Sequence, residues 1–254
     1  MMDGAERWKG KVALVTGATT GIGEAMAHAL SHLGMKVAVA GRRKERLDAV
    51  VRALQAEGGA GLATPVDLRD EATIQRMFQQ VRQQWGTVDV LINNAGLGYN
   101  GTMADAPTAD WKEVLDVNVL AFSICIREAL KDMADKQDAA IVNISSIAGH
   151  RVPPGARGNT FYAASKHAVK AITDGLRFEL VAKKSKIKMG MISPGMVHTE
   201  FHARSTRSAS KPASYAEFRV LDPEDVAQAA VYMITSPRHV QIHDIVIRSV
   251  EQPH

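Results

Sequence analysis

Val12-Ala13-Leu14-Val15-Thr16-Gly17-Ala18-Thr19-Thr20-Gly21-Ile22-Gly23 is the stretch from which the rest of this chain can be read. Its first five residues form a short run suited to a buried strand, and three glycines spaced G-x-x-x-G-x-G follow at once. Beyond them Ile22, Met26, Leu30 and Leu33 recur on one helical face, and Gly34 is a good residue to end that helix. Glycines let a backbone turn tightly and approach a ligand closely. The helix start then offers unpaired N–H groups and a favourable dipole to a pyrophosphate. The spacing is not the common G-x-G-x-x-G, so the nucleotide reading rests on the strand–turn–helix setting.

Outward from this turn, short apolar runs alternate with longer helical patterns. Strands are expected at Val37 to Ala40, Leu62 to Val66, Val88 to Asn93, Ala140 to Ser145, Ile187 to Ser193 and Ile242 to Ile247. Between them helices are expected at Lys44 to Glu57, Asp70 to Trp85, Ala109 to Asp135, Thr160 to Lys183 and Pro223 to Thr235, the last with Asp222 as N-cap. This alternation predicts an α/β fold, a single-domain, Rossmann-type doubly wound sheet of about seven parallel strands with helices on both faces. The domain spans 1–254, with a substrate-loop segment at about 195–220. Two stretches lack periodicity, Gly149 to Asn159 and Gly195 to Val220, and long irregular connections in compact domains are often functional. The 109–135 helix is apolar nearly all the way round, through Val114, Leu115, Val117, Val119, Leu120, Phe122, Ile124 and Ile126. One side can cover the sheet, and a second subunit is the expected cover for the other.

Composition narrows the function classes. The 254 residues carry a net charge of +4, but the cations are scattered among 27 acids, with no basic stripe interleaved with aromatics. Nucleic acid is therefore not an expected partner. Met1 to Lys11 has no apolar core of a secretory signal, and no apolar run approaches the roughly 18 residues that span a bilayer. The single cysteine, Cys125, excludes an intrachain disulfide. The expectation is a soluble, cytoplasmic protein with no membrane partner.

Tyr162 and Lys166 lie four residues apart in an expected helix and share a face. A fixed positive charge beside a phenol lowers its pKa, which suits a proton donor and acceptor near neutrality. At the end of the second strand, where a carboxylate would bind the ribose of NAD, the chain reads Ala40-Gly41-Arg42-Arg43-Lys44. Guanidinium groups suit a phosphate, so Arg42 and Arg43 point to NADP(H). Asp67, at the end of the third strand, could accept from the adenine amine or cap a turn.

Taken in order, Thr16 to Gly23, Asn93-Asn94-Ala95-Gly96, Asn118, Ser146 with Tyr162 and Lys166, and Pro194-Gly195 resemble the short-chain dehydrogenase/reductase family over nearly the whole chain. Glu6-Arg7-Trp8, Gly149-His150-Arg151-Val152, Ile242-His243-Asp244-Ile245 and Glu251-Gln252 are most similar to its NADP-dependent branch of dehydrogenase/reductase member eleven, bacterial 3-hydroxy acid dehydrogenases and clavaldehyde reductase. The connection from Arg151 to Tyr162, with Pro153-Pro154-Gly155, departs from that branch by about one extra residue. The resemblance implies an alcohol–carbonyl interconversion with Tyr162 as the proton carrier, Lys166 lowering its pKa and binding the nicotinamide ribose, and Ser146 orienting the carbonyl. Asn118 would position a water relaying protons to Lys166. It also implies cofactor contacts from Gly17, Thr19, Thr20, Gly21, Ile22, Gly23, Asp67, Leu68, Asn94, Ala95, Gly96, Pro194, Gly195, Val197 and Thr199. A homodimer or homotetramer through the helices carrying Asn118 and Tyr162 is implied as well.

Two other readings stand beside this one: an NADP-binding sensor or scaffold without turnover, and an epimerase or dehydratase on the same fold. The second would favour a glycine pattern that is absent here. His28 with His32, and His198 with His202, are spaced four apart, but neither pair has an evident third ligand, and no metal is expected. His198 and His202 fall in the irregular segment that lids the pocket in relatives, where they could face substrate.

Overall fold

In the computed structural model, which describes residues 2–152, 159–206 and 217–253, a short α1 (Met2–Glu6) precedes the strand of the glycine turn. The chain then runs β1 (Val12–Thr16), α2 (Gly21–His32), β2 (Lys36–Gly41), α3 (Lys44–Ala56), β3 (Ala60–Pro65), α4 (Glu71–Trp85) and β4 (Val90–Asn93). Next come α5 (Thr108–Leu115), a π-helical turn (Asp116–Ala121), α6 (Phe122–Met133), β5 (Ala140–Ile144) and a 3₁₀ turn (Ile147–Gly149). The described chain ends with α7 (Thr160–Ala182), β6 (Lys188–Pro194), α8 (Phe201–Thr206), α9 (Pro223–Thr235) and β7 (Asp244–Ile247).

The sheet of seven strands is parallel throughout, as the alternation of runs predicts, and its order is β3-β2-β1-β4-β5-β6-β7. Side chains alternate between its faces, because successive strand residues point to opposite sides. Ala13 and Val15 join α2, α3 and α9 in one core, while Val12 and Leu14 join α4, α6 and α7 in the other. No described helix is long and apolar enough to cross a membrane.

Several expected boundaries move, each for a local reason. β4 begins at Val90 rather than Val88. Ahead of it the Val88 N–H donates to the Asp132 carboxylate at 3.0 Å, while the Asp89 carboxylate accepts from Val12 N at 2.8 Å. β3 pairs from Ala60, and β7 is shorter than expected, starting at Asp244. The expected helix from 109 to 135 runs without a gap from Thr108 to Met133, but a π turn within it inserts an extra residue. That turn holds Asn118, and most of the apolar ring around it packs internally. Val114, Phe122, Ile124 and Ile126 are buried and Val117 and Val119 half-buried, leaving Leu115 and Leu120 as the exposed members. Of the irregular stretches, the described parts contain the 3₁₀ turn and α8. Pro153-Pro154-Gly155 and residues 207–216 lie outside the described residues.

The functional consequence of the strand order sits between β1 and β4. From β1 the chain lays β2 and β3 to one side and then returns to lay β4 on the other, so a crevice opens where the two strands end. Thr16, the last residue of β1, bridges that parting. Its Oγ1 accepts from Asn94 N and Ala95 N, each at 3.0 Å, and donates to Ile92 O at 3.4 Å. Asn94 returns the favour through its amide, which donates to Thr16 O at 2.9 Å and Gly17 O at 3.2 Å. Replacing Thr16 by the isosteric valine leaves two inward N–H groups without an acceptor. Thr16→Val is expected to lower unfolding free energy by about 2–4 kcal/mol. Urea denaturation checks it, with a lower midpoint and an unchanged slope.

Candidate active site

The crevice between β1 and β4 widens into a cleft of about 800 Å³. Every residue assigned above to the nucleotide, from Gly17 to Thr199, lines it. At its floor the glycine turn has no room for side chains. Gly17 has φ +67°, and a Cβ there would lie 2.8 Å from Ala95 Cα. A Cβ on Gly23 would lie 2.4 Å from Gly17 O. The turn thus brings bare backbone to the start of α2, the arrangement that suits a pyrophosphate.

At one end of the cleft the cations are tied into a network. Arg43 donates to Thr19 Oγ1 at 2.9 Å and to Glu200 at 3.2 Å. Arg42 is more exposed and lies 3.9 Å from Glu113. Asp67 accepts from the Arg69 backbone N at 3.0 Å and from its guanidinium Nε at 2.9 Å, bonds that cap the turn, and it also lines the cleft. The Arg69 hydrogen bonds hold the Asp67 carboxyl down at about 2 against the opposing effect of burial. Arg69 also reaches Glu113 at 3.2 Å, and Tyr99 donates to the same carboxylate at 2.5 Å.

At the other end α7 presents Tyr162 and Lys166, and the start of the 3₁₀ turn presents Ser146. Lys166 is 4% exposed and donates to Ile144 O at 3.0 Å, at the end of β5. Burial lowers its pKa to about 8. Its ammonium sits 5.7 Å from the centre of the Tyr162 ring. The expected net lowering of the Tyr162 pKa is not seen here, because burial outweighs the opposing influence. Although Tyr162 keeps part of its surface in the cleft, burial is the dominant influence and pushes its phenol up to about 12, with the Ser146 hydrogen bond opposing it. The Phe201 ring packs at 5.4 Å from the Tyr162 ring.

Asn118 lies behind the cleft rather than on its wall. It is 1% exposed, and its amide is engaged by Leu97 N at 2.9 Å, Leu97 O at 2.8 Å and Ser165 Oγ at 3.0 Å. Ser165 in turn donates to Tyr162 O at 2.7 Å, so Asn118 braces both the loop after β4 and the first turn of α7. Its Oδ1 and the Lys166 Nζ both lie 3.4 Å from where a Cβ on Gly96 would be.

The lining also includes residues that sequence reasoning did not single out, among them Leu97, Tyr99, Met196, Phe201 and Arg204. No periodic signal marks them, since all fall in irregular segments or a six-residue helix. His202 lines both the cleft and a neighbouring cavity, and His198 lines that neighbouring cavity alone, with Thr199 and Glu200 common to the two. His28 and His32 both reach Glu57, at 2.9 and 3.2 Å. Among the described residues no three potential ligands gather in a way that could hold a metal.

With this geometry in view, comparisons with known proteins agree on the lineage. The family model described as short chain dehydrogenase matches residues 11–210. Dehydrogenase/reductase SDR family member 11 of Bos taurus is 44% identical over 255 residues, covering 97% of this chain and 99% of that protein. Among solved structures, the closed form of serine dehydrogenase complexed with NADP+ matches with a TM-score of 0.88 and 31% identity, covering 96% of each chain. The 3-ketoacyl-(acyl-carrier-protein) reductase of Brucella melitensis, complexed with NADH, matches with a TM-score of 0.83 and 25% identity over 94% of this chain and 97% of its own.

Burial of Lys166 has a measurable cost in stability. Its amine titrates at about 8 when folded against an ordinary 10.5, so between those values the unfolded chain binds a proton that the folded chain does not. Below pH 8 the folded state bears the full penalty of a buried charge. Lys166→Met is expected to melt at a higher temperature than the parent at pH 7, with the advantage shrinking steadily as pH rises toward 10.5. Thermal unfolding across that range checks it.

Proposed function

This chain belongs to the short-chain dehydrogenase/reductase family, and we propose that it is an NADP(H)-dependent oxidoreductase interconverting an alcohol and a carbonyl, with Tyr162 as general acid and base. The observation that carries the reading is a cleft lined at one end by a turn whose Gly17 and Gly23 have no room for a Cβ and at the other by Ser146, Tyr162 and Lys166. The residues suit a dinucleotide phosphate. Gly17 to Gly23 would hold the pyrophosphate, Arg42 and Arg43 the 2'-phosphate, and Asp67, Leu68 and Asn94 to Gly96 the adenosine side. Lys166 would hold the nicotinamide ribose, with Pro194, Gly195, Val197 and Thr199 beside the carboxamide.

NADP(H), when bound, supplies or accepts the hydride. The protein's own task is to move one proton in step with it. In the reducing direction, a phenol held up at about 12 remains protonated at neutral pH and is poised to donate. Ser146 orients the carbonyl oxygen by hydrogen bonding. As that oxygen becomes an alkoxide it takes the Tyr162 proton, leaving a phenolate that Ser146 and the Lys166 ammonium stabilise. Asn118 acts from behind by fixing the loop after β4 against α7, a brace from which a water relay to Lys166 would be organised. Residues 195–220 form the substrate-loop segment, with Phe201 of α8 already against Tyr162. Exposed Leu115, Leu120, Phe178 and Val181 support self-association through the helices that carry Asn118 and Tyr162.

NADPH oxidation against a panel of aldehydes, ketones, diketones and keto acids tests the reading. Tyr162→Phe is expected to lose about 10²–10⁴ in kcat while retaining NADPH binding. Full activity in that variant overturns the mechanism, and a parent that binds NADPH but turns over none of the panel favours a sensor or scaffold. Loss of a charged phosphate contact is expected to weaken NADPH about 10- to 100-fold in Arg42→Ala and Arg43→Ala. NADH affinity should stay level, and equal losses for the two cofactors would remove these arginines from the phosphate site.

A further inference from the structure

Two of the short motifs that set this chain apart, Gly149 to Val152 and Ile242 to Ile245, have no part in the chemistry above, yet the structure brings them into contact. His150 closes the 3₁₀ turn that Ser146 opens. Ser146 Oγ accepts from Ala148 N at 3.1 Å, and His150 N donates to Ile147 O at 3.0 Å. The imidazole then leaves the turn toward the sheet, where its Nε2 lies 2.9 Å from Ser193 Oγ in β6 and 3.3 Å from Asp244 Oδ2 in β7. Ser193 Oγ donates its proton to Asp244 Oδ1 at 3.2 Å, so it can only accept from His150. Nε2 is therefore the donor, and the chain of bonds runs from the turn through β6 to β7.

These three residue types invite comparison with a nucleophilic triad, but the geometry excludes it. A triad places the acid on one ring nitrogen and the hydroxyl on the other. Here both partners share Nε2, and Ser193 is 0% exposed. What the arrangement can do is hold. A single 3₁₀ turn has few internal bonds of its own. On its inner side the turn is wedged against α7, because a Cβ on Gly149 would lie 2.8 Å from Lys166 O. On its outer side His150 is the side chain that reaches the sheet. The anchor it reaches is itself fixed: Arg177 of α7 donates to His243 O, next to Asp244, and Met191 N donates to the same oxygen at 3.0 Å.

We propose that His150, secured by Ser193 and Asp244, is a positioning residue that fixes the turn presenting Ser146 to the substrate oxygen. The proposal rests on the reading of Ser146 as a catalytic residue. It assigns no contact with substrate or cofactor to His150 itself. Losing the anchor should misplace the Ser146 hydroxyl and slow the chemical step without disturbing the nucleotide end of the cleft.

The experiment compares His150→Phe, His150→Gln, Asp244→Asn and Ser146→Ala in the full chain, reading kcat and KM for a carbonyl that the parent reduces, NADPH affinity by fluorescence titration, and the melting midpoint. His150→Phe keeps the ring without the donor and is expected to lower kcat about tenfold. NADPH affinity should remain within about twofold, with the midpoint unchanged. His150→Gln, which restores an N–H donor, should recover most of the lost rate, and Asp244→Asn should show a smaller loss of the same kind. Parental kcat in His150→Phe overturns the proposal, as does a loss shared equally by kcat, NADPH affinity and melting that glutamine does not repair. If His150→Phe does not fold, the Gln and Asn variants decide by the same readouts. Full activity in Ser146→Ala would instead sink the underlying reading of the site, whereas an inactive Ser146→Ala beside an unaffected His150→Phe sinks only the anchor.

Discussion

The hydroxyl of Thr16 sits where two neighbouring strands stop being neighbours. Up to Val15 and Ile92 the pairing of β1 with β4 is ordinary ladder. One step further the chains part, and the N–H groups of Asn94 and Ala95 would face a gap with no carbonyl opposite. Thr16 supplies the acceptor for both from a single oxygen. Asn94, held in place this way, uses its amide to take up the carbonyls of Thr16 and Gly17. The glycine turn is thereby satisfied on its protein side, which is the condition for a buried backbone to be held open toward a ligand. The cleft depends on this exchange, because a sheet that parts without it leaves unpaired polar groups at its centre.

The reacting end is organised by burial more than by charge pairing. Removing Tyr162 and Lys166 from water raises the phenol and lowers the amine, so each is pushed toward its neutral form. Lys166 donates to a backbone carbonyl and burial keeps the phenol protonated, so no phenolate–ammonium pair is already formed in the resting arrangement. That order suits a proton donor. A preformed ion pair would have spent the proton that reduction needs, whereas a neutral phenol with a cation nearby gains its stabilisation as the proton leaves.

Much of this was legible in the sequence, and the exceptions share a cause. The alternation of strands and helices, the glycine turn and the Tyr162–Lys166 face follow from local pattern, and each is set by backbone geometry within a few residues. What pattern could not give are the places where a distant side chain takes over a backbone role. The Asp132 carboxylate takes the Val88 N–H ahead of β4, and the π turn at Asp116 to Ala121 shifts the faces of a helix whose apolar spacing looked regular. Asn118 shows the same limit, since its role as a brace depends on Leu97 and Ser165, distant from it in the sequence. The net rise of the Tyr162 phenol is a further case, since spacing reports that two groups share a face and not how deeply the fold buries them.

The C-terminal elements gain a common purpose when their bonds are followed inward. Arg7 and Trp8 both donate to Ile234 O, at 2.8 and 3.2 Å, fastening the start of the chain to the end of α9. α9 packs on α2, the helix whose first turn carries the glycines. Beyond it, β7 receives His150, and Gln252 accepts from Met196 N at 3.0 Å, beside a Gly195 whose Cβ would lie 2.2 Å from that same amide oxygen. The end of the chain thus touches the cleft's supports at two points without entering its chemistry: the turn of Ser146 and the turn after β6. Those two turns begin and end no regular element strong enough to fix them alone. A family fold that varies its substrates through loops needs some part of the chain to hold the loops that must not vary, and here the last strand and tail are placed to do so.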